Sequence, residues 1–255
     1  VNSIKDTGNR GRGVFAGGSP NQSTISFLNI MSDGNTQHFG ELTYALGNVA
    51  GKCSSGTRGL FAGGANPITD TINYITIASE GNGVDFGNLT SNNYGAGGHS
   101  SSTRGIWAGG HNGSAQVNTI QYVEINTTGN AQDFGDLTLA RRGMSSVSSS
   151  TRGVLSGGYT GSSPNQTNVM DYITIASAGN AIDFGDSTVA VALKPTGQIC
   201  SRTRGVFVAG SYPSQGNVID FVTIATTGNA SDFGDLLVSI TDSAGACSDS
   251  HGGLS

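Results

Sequence analysis

Seven aspartates fall at matching places in this 255-residue sequence: Asp85, Asp133, Asp136, Asp183, Asp186, Asp232 and Asp235. They stand beside Asn-bearing turns, where oxygen donors could hold calcium, and four of them open an Asp-Phe-Gly tripeptide of the kind that holds magnesium in kinases. Neither reading finds the rest of its site. Calcium takes about six to eight converging oxygens, whereas one or two carboxylates per repeat are spread along the chain and no DxDxDG loop is present. The kinase set needs a catalytic-loop HRD and a strand-borne lysine, and both are missing. The four histidines, His38, His99, His111 and His251, occupy four different registers without a His-x-x-x-His spacing or a neighbouring Ser-Asp or Cys pattern. No catalytic residue, metal or cofactor is therefore assigned. Cys53, Cys200 and Cys247 each precede an Arg-Gly motif or its C-terminal remnant by four or five residues. Cysteines at equivalent repeat positions are expected as small buried side chains rather than a disulfide framework.

Composition removes further classes. The formal charge is -5 with only 12 Lys and Arg along the chain, too few and too scattered to neutralise a nucleic-acid backbone. No apolar run approaches the roughly 20 residues of a membrane helix, and no basic-then-apolar leader opens the sequence, so neither membrane insertion nor a signal peptide is expected. Val1 at the start is expected of a processed product or of a segment of a longer protein. The 41 glycines, with abundant Ser, Thr and Asn, disfavour helices and favour strands and turns.

These residues are positioned by a repeat. Arg-Gly recurs at Arg12, Arg58, Arg104, Arg152 and Arg204, at intervals of 46, 46, 48 and 52 residues, the period of a propeller blade. Gly-Asn keeps step at Gly34, Gly81, Gly129, Gly179 and Gly228, followed by Phe39, Phe86, Phe134, Phe184 and Phe233. Each unit reads as four short strands: a small polar one (MSSVSSS), an apolar one ending in Gly-Gly (RGVFAGG), a β-branched one with an aromatic (DTINYITIA) and a last one around Asp-Phe-Gly. The expected fold is all-β: one domain spanning 1–255, a five-bladed β-propeller of four-stranded antiparallel blades. Residues 241–255 match a first strand running into a degenerate Arg-Gly motif and are expected to complete the first blade, closing the ring and covering its edges. Trp107, the only tryptophan, takes the place of Phe15, Phe61, Leu155 and Phe207 and is expected in the core. The repeated Arg is expected to pair with the repeated Asp, and the Asp to bond the preceding Gly-Asn turn.

The order of small strand, apolar strand ending in Gly-Gly and Tyr-bearing strand (NYITI, QYVEI, DYITI) resembles the kelch-type β-propeller over essentially the whole chain. It departs from kelch in having Thr-Ile-Ala after the Tyr and a Phe where a Trp is usual. The TRGLFAGG and GNAxDFGDLTxAR strings are more similar to the kelch-like repeats of virion structural and tail proteins of marine tailed phages. That resemblance implies a particle-associated protein at the virion surface, as a tail fibre, adhesin or capsid decoration, with host-surface polysaccharide or other virion proteins as partners and a possible homo-oligomer.

Where the repeats differ is where a specific function would sit. From the second Gly of the pair to the third-strand aromatic, the five units span 9, 10, 12, 14 and 11 residues. In a four-stranded antiparallel blade this loop emerges on the same rim as the link to the next blade, and length-variable loops on a rigid scaffold are common binding positions. Candidate ligand-binding residues from these segments are Tyr44, Asn66, Asn93, Tyr94, His111, Asn112, Arg141, Arg142, Tyr159 and Tyr212. Tyr planes stack on sugar rings, and amides and Arg bridge hydroxyls. Three functions follow: a non-enzymatic module binding host-surface glycan through this rim, a purely architectural propeller docking on virion subunits, or a propeller glycosidase. The last needs a close pair of acids over the central channel, and the sequence offers only symmetric ones.

Overall fold

Runs rich in β-branched and aromatic residues, bounded by Gly, Asn and Ser, suit pleated and half-buried strands. The computed structural model describes residues 11–18, 21–47, 51–192, 199–208, 210 and 216–240, and over these it is all-β, with nineteen strands in five sheets. The first sheet has three strands, β1 (Arg12–Ala16), β2 (Gln22–Asn29) and β3 (Gln37–Leu46). The second is β4 (Gly51–Ser54), β5 (Arg58–Gly64), β6 (Thr69–Thr76) and β7 (Val84–Asn88), and the third is β8 (Gly97–Ser100), β9 (Arg104–Ala108), β10 (Thr119–Glu124) and β11 (Gln132–Asp136). The fourth is β12 (Ser145–Ser148), β13 (Arg152–Ser156), β14 (Thr167–Thr174) and β15 (Ile182–Val191), and the fifth is β16 (Ile199–Cys200), β17 (Arg204–Val208), β18 (Gly216–Thr223) and β19 (Ser231–Ile240). All neighbours are antiparallel and in sequence order. The strand expected at 241–255 lies outside the described residues.

The short first strands of successive sheets adjoin in a propeller-like arrangement: the Cys53 thiol donates to the His99 carbonyl at 3.2 Å and the Ser146 hydroxyl to the Gly98 carbonyl at 3.2 Å. Hydrophobic side chains pack between sheets, each sheet giving one face to each neighbour. Leu60, Ile72 and Phe86 of the second sheet meet Trp107, Val123 and Ile125 of the third, and Trp107 is fully buried as expected. Cys53 and Cys200 are also buried, and burial pushes the Cys53 thiol up to about 12. Cys247 lies outside the described residues.

Three polar contacts recur at the junctions. First, the Gly-Asn turn of one sheet bonds the Phe-Gly of the sheet before it. The Gly179 N–H donates to the Phe134 carbonyl at 2.6 Å, and the Asp136 N–H to Asn180 Oδ1 at 3.0 Å. The same pairs form from Gly81 to Phe39, from Gly129 to Phe86 and from Gly228 to Phe184. The Asp of Asp-Phe-Gly does not reach this turn. Asp85, Asp183 and Asp232 instead accept from the N–H of the Gly two residues on, at 3.2, 3.3 and 2.9 Å, so the turn is left to the preceding sheet.

Second, the motif arginine does not pair with those aspartates. Arg12, Arg58, Arg104 and Arg152 each donate 2.9–3.0 Å bonds to a carbonyl of the next sheet, at Ile77, Ile125, Ile175 and Ile224. Each guanidinium also lies over the third-strand aromatic of its own sheet, as Arg104 does over Tyr122 at 4.5 Å. An Arg held between a ring and a backbone acceptor satisfies both its π-face and its N–H groups. Acid contacts of these arginines among the described residues go to glutamates, Arg12 to Glu80 and Arg104 to Glu124.

Third, a bulge interrupts the pairing of the third and fourth strands just before the third-strand aromatic. It buries Asn73, Gln121, Asp171 and Asp220. Each accepts from both the N–H and the hydroxyl of a Thr in the preceding sheet, Thr43, Thr90, Thr138 and Thr188, as in the 2.6 Å bond from Thr138 Oγ1 to Asp171. A buried polar group in an apolar seam is tolerated because it is hydrogen-bonded.

Four such junctions join the five sheets, and the contact of the last sheet with the first is not formed among the described residues. Phe39, Phe86, Phe134 and Phe184 are 2–3% exposed, whereas Phe233 is 54% exposed, and Leu237 and Val238 beyond it are also open. The outermost sheets also differ in sequence at the third contact: Leu237 stands where the other sheets carry Thr, and Ser26 stands at the bulge where they carry Asn, Gln or Asp.

The first junction contact dictates a glycine. Gly135 has φ +143°, and a Cβ there would lie 2.5 Å from the backbone of Gly179. Gly135→Ala is expected to cost about 2–4 kcal/mol, combining positive-φ strain with overpacking. Urea unfolding of the variant checks this, and a loss under about 1 kcal/mol would mean that the junction yields.

Candidate functional site

The loops between second and third strands and the links between sheets emerge together, and backbone pairs tie them. The Tyr94 N–H donates to His111 at 3.1 Å and the His111 N–H returns to Tyr94 at 3.0 Å. Arg142 and Tyr159 exchange the same pair at 3.1 and 2.8 Å. The rim therefore has one construction in both sheets: a link residue laddered to a loop residue, with the side chain at each place free to vary. The Gly-Gly pair permits it. Gly109 and Gly110 turn the chain out of β9 at φ +64° and +108°, and a Cβ on Gly109 would meet the Arg141 carbonyl at 2.6 Å.

Four of the expected residues come together into one row. The Tyr94 and His111 rings are 5.0 Å apart and tilted by 43°. The Arg142 guanidinium lies 5.4 Å from the Tyr94 ring centre and 5.0 Å from that of Tyr159. All four side chains are half-buried. Asn112 adjoins the row, its Oδ1 accepting from the N–H groups of Ser114 and Ala115 at 2.9 Å. The His111 Nδ1 accepts from the Gly113 N–H at 2.9 Å. Burial, then the charge of Arg142, holds the His111 pKa below its ordinary value.

Other expected residues are elsewhere. Asn93 and Arg141 are fully buried beneath the rim, at the link position filled by Leu46 and Val191 in other sheets. At that position the carbonyls of Leu46, Asn93, Arg141 and Val191 each accept from the second glycine of the pair. Asn93 Nδ2 donates to the Gly109 carbonyl at 2.9 Å. Arg141 donates to the carbonyls of Gly157 and Val169 and to Asp171 at 2.8 Å in an ion pair sealed from solvent on both sides. Both side chains are therefore spent on the scaffold. Tyr44 is half-buried and donates to the Thr71 carbonyl at 3.3 Å. Asn66 is exposed between the first and second sheets, where its carbonyl accepts from Asn21. Tyr212 lies outside the described residues.

No three His, Cys, Asp or Glu side chains come together as a metal site among the described residues. His38 is exposed and 3.0 Å from Glu41, and His251 lies outside the described residues. His99 is buried with no partner for either ring nitrogen among the described residues, at the place of Cys53 and Val147, against Gly153 of the next sheet. No protein-family model matches the chain, and a search of curated proteins gives no significant match.

Burial lowers the His99 pKa from 6.5 to about 4. The unfolded chain therefore takes up a proton on His99 between those values while the folded chain does not. Stability present above pH 6.5 is lost as pH falls towards 4, by about 3 kcal/mol at full effect. His99→Val is expected to remove that loss, and urea unfolding of both proteins at pH 7 and pH 4.5 checks it. Parallel losses in the two would place the proton uptake elsewhere.

Proposed function

We propose that this chain is a non-enzymatic, closed five-bladed propeller of a phage particle that binds host-surface glycan through the rim carrying Tyr94, His111, Arg142 and Tyr159. The observation that carries the binding reading is the row itself. Three rings and one guanidinium run continuously across the third and fourth sheets, with His111 and Tyr159 on loops whose lengths differ between repeats. The opposite rim holds the uniform Arg-Gly and Gly-Asn turns, whose polar groups are taken up by neighbouring sheets. Stacked aromatic planes with polar edges are suited to the alternating apolar faces and hydroxyl edges of a sugar. The buried carboxylates Asp171 and Asp220 already accept bonds from Thr138 and Thr188, which disfavours a glycosidase. The virion location rests on the likeness of the repeat to kelch-like virion repeats.

Closure of the ring rests on two observations. Arg204 and Phe233-Gly234 repeat the side that the earlier sheet gives to each of the other junctions, and Gly34-Asn35 repeats the turn that the later sheet gives. Residues 241–255 carry the sequence of a link and a first strand. The docking reading has support of its own in the exposed Phe233, Leu237 and Val238, joined on the first sheet by Ile30 and Met31.

Two experiments separate these readings. On a glycan array, the chain is expected to bind at least one host-type polysaccharide, with Tyr94→Ala and Tyr159→Ala each weakening the signal about tenfold or more. A blank array would favour docking on virion subunits. For closure, Gly234→Ala is the probe, because a Cβ at Gly234 meets nothing within 4 Å in the open arrangement. A closed ring brings the Gly34-Asn35 turn against it, so its cost should match that of Gly135→Ala. A markedly smaller cost would show a ring that stays open.

A further inference from the structure

We infer that the group recognised at Arg142 is a carboxylate, so that the ligand of this rim is an acidic, uronate-type glycan rather than a neutral one. The inference deepens the glycan reading above and rests on it. Arg142 is unlike the other rim arginine. Arg141 spends its guanidinium on two carbonyls and Asp171, whereas the Arg142 side chain has no acceptor among the described residues. The Nε of both arginines is sealed from solvent without a partner among the described residues, so the difference lies at the Nη groups. What flanks the group is the pair of tyrosine rings, 5.4 and 5.0 Å from it, which leaves its two Nη groups without an acceptor among those residues. A guanidinium flanked by rings and without an acceptor suits a planar anion with two acceptor oxygens, and carboxylate matches that fork.

The charge around it agrees. The protein carries a formal charge of -5, yet the four segments that build this part of the rim, residues 89–96, 109–118, 137–144 and 157–166, contain no Asp or Glu. The recurring Asp85, Asp133 and Asp183 sit instead at or near the starts of the fourth strands, towards the opposite rim. Arg141 is neutralised by Asp171 beneath the surface, so Arg142 supplies the uncompensated positive charge of the row. A neutral sugar would gain no more from this arginine than from an amide, and a carboxylate on a ring stacked against Tyr94 or Tyr159 would take one N–H from each of its two Nη groups.

The test uses the whole chain against a panel of uronate-bearing polysaccharides, each paired with its carboxyl-reduced counterpart, together with sulfated and neutral polysaccharides. The expected result is binding to one or more uronate members that falls about 10- to 100-fold on carboxyl reduction and by a similar factor in Arg142→Gln, with partial retention in Arg142→Lys. Binding should also weaken with added salt. Equal binding to acidic and carboxyl-reduced members, or binding confined to neutral ones, overturns the carboxylate inference and leaves the glycan reading standing. Preference for the sulfated members overturns the carboxylate in favour of a sulfate ester. Binding to none of them overturns both readings. Because carboxyl reduction is read on the unaltered protein, the outcome does not depend on the variants folding.

Discussion

Everything in this molecule hangs on how one sheet seals against the next. A four-stranded sheet of fewer than thirty strand residues has apolar side chains on both faces and cannot bury them alone. The neighbour supplies the cover, and the polar groups trapped at the contact must then find partners there. The repeat meets that need with a turn whose backbone docks on a Phe-Gly, an arginine that reaches across to a carbonyl, and a threonine that satisfies a polar side chain at a bulge. Each member lies in a different sheet from its partner, so one repeat folded by itself would leave half of these groups unsatisfied. The sequence is periodic because the junction is.

That origin explains what could be read in advance. Five units, four strands in each and apolar positions such as Trp107 follow from spacing and residue type alone. Partners do not. The repeated Arg and Asp have matching counts and opposite charge, yet the arginine takes a ring and a backbone carbonyl, and neither kind of acceptor announces itself in a residue list. Asn93 and Arg141 look like solvated loop residues because they are polar and lie in a link. Their position is buried, and the signal was present in its apolar occupants Leu46 and Val191. The polar residue just before each third-strand aromatic, Asn73, Gln121, Asp171 and Asp220, was equally visible as an oddity in an apolar strand.

The row of Tyr94, His111, Arg142 and Tyr159 was legible for the opposite reason. Nothing at the junctions restrains it, so its loops vary in length, and variation against a constant background marks them. Side chains on this rim are laddered to one another through their backbones and touch the core little. The scaffold therefore fixes where they stand without fixing what they are. The rim could exchange its chemistry while the turns on the other side stay unchanged.

Five nearly identical units face a hazard that dissimilar domains do not: any sheet could dock on any other, within one chain or between two. The exchange at Leu237 and Ser26 bears on this. A leucine brought against Asn73, Gln121, Asp171 or Asp220 would keep the backbone N–H but remove the hydroxyl donor from a buried polar group, whereas Ser26 at the same place in the first sheet is only a short hydroxyl. Leu237 thus suits the bulges of the second to fifth sheets poorly and Ser26 makes no such demand, so two side chains set the first and last of an otherwise interchangeable set of parts apart from the rest.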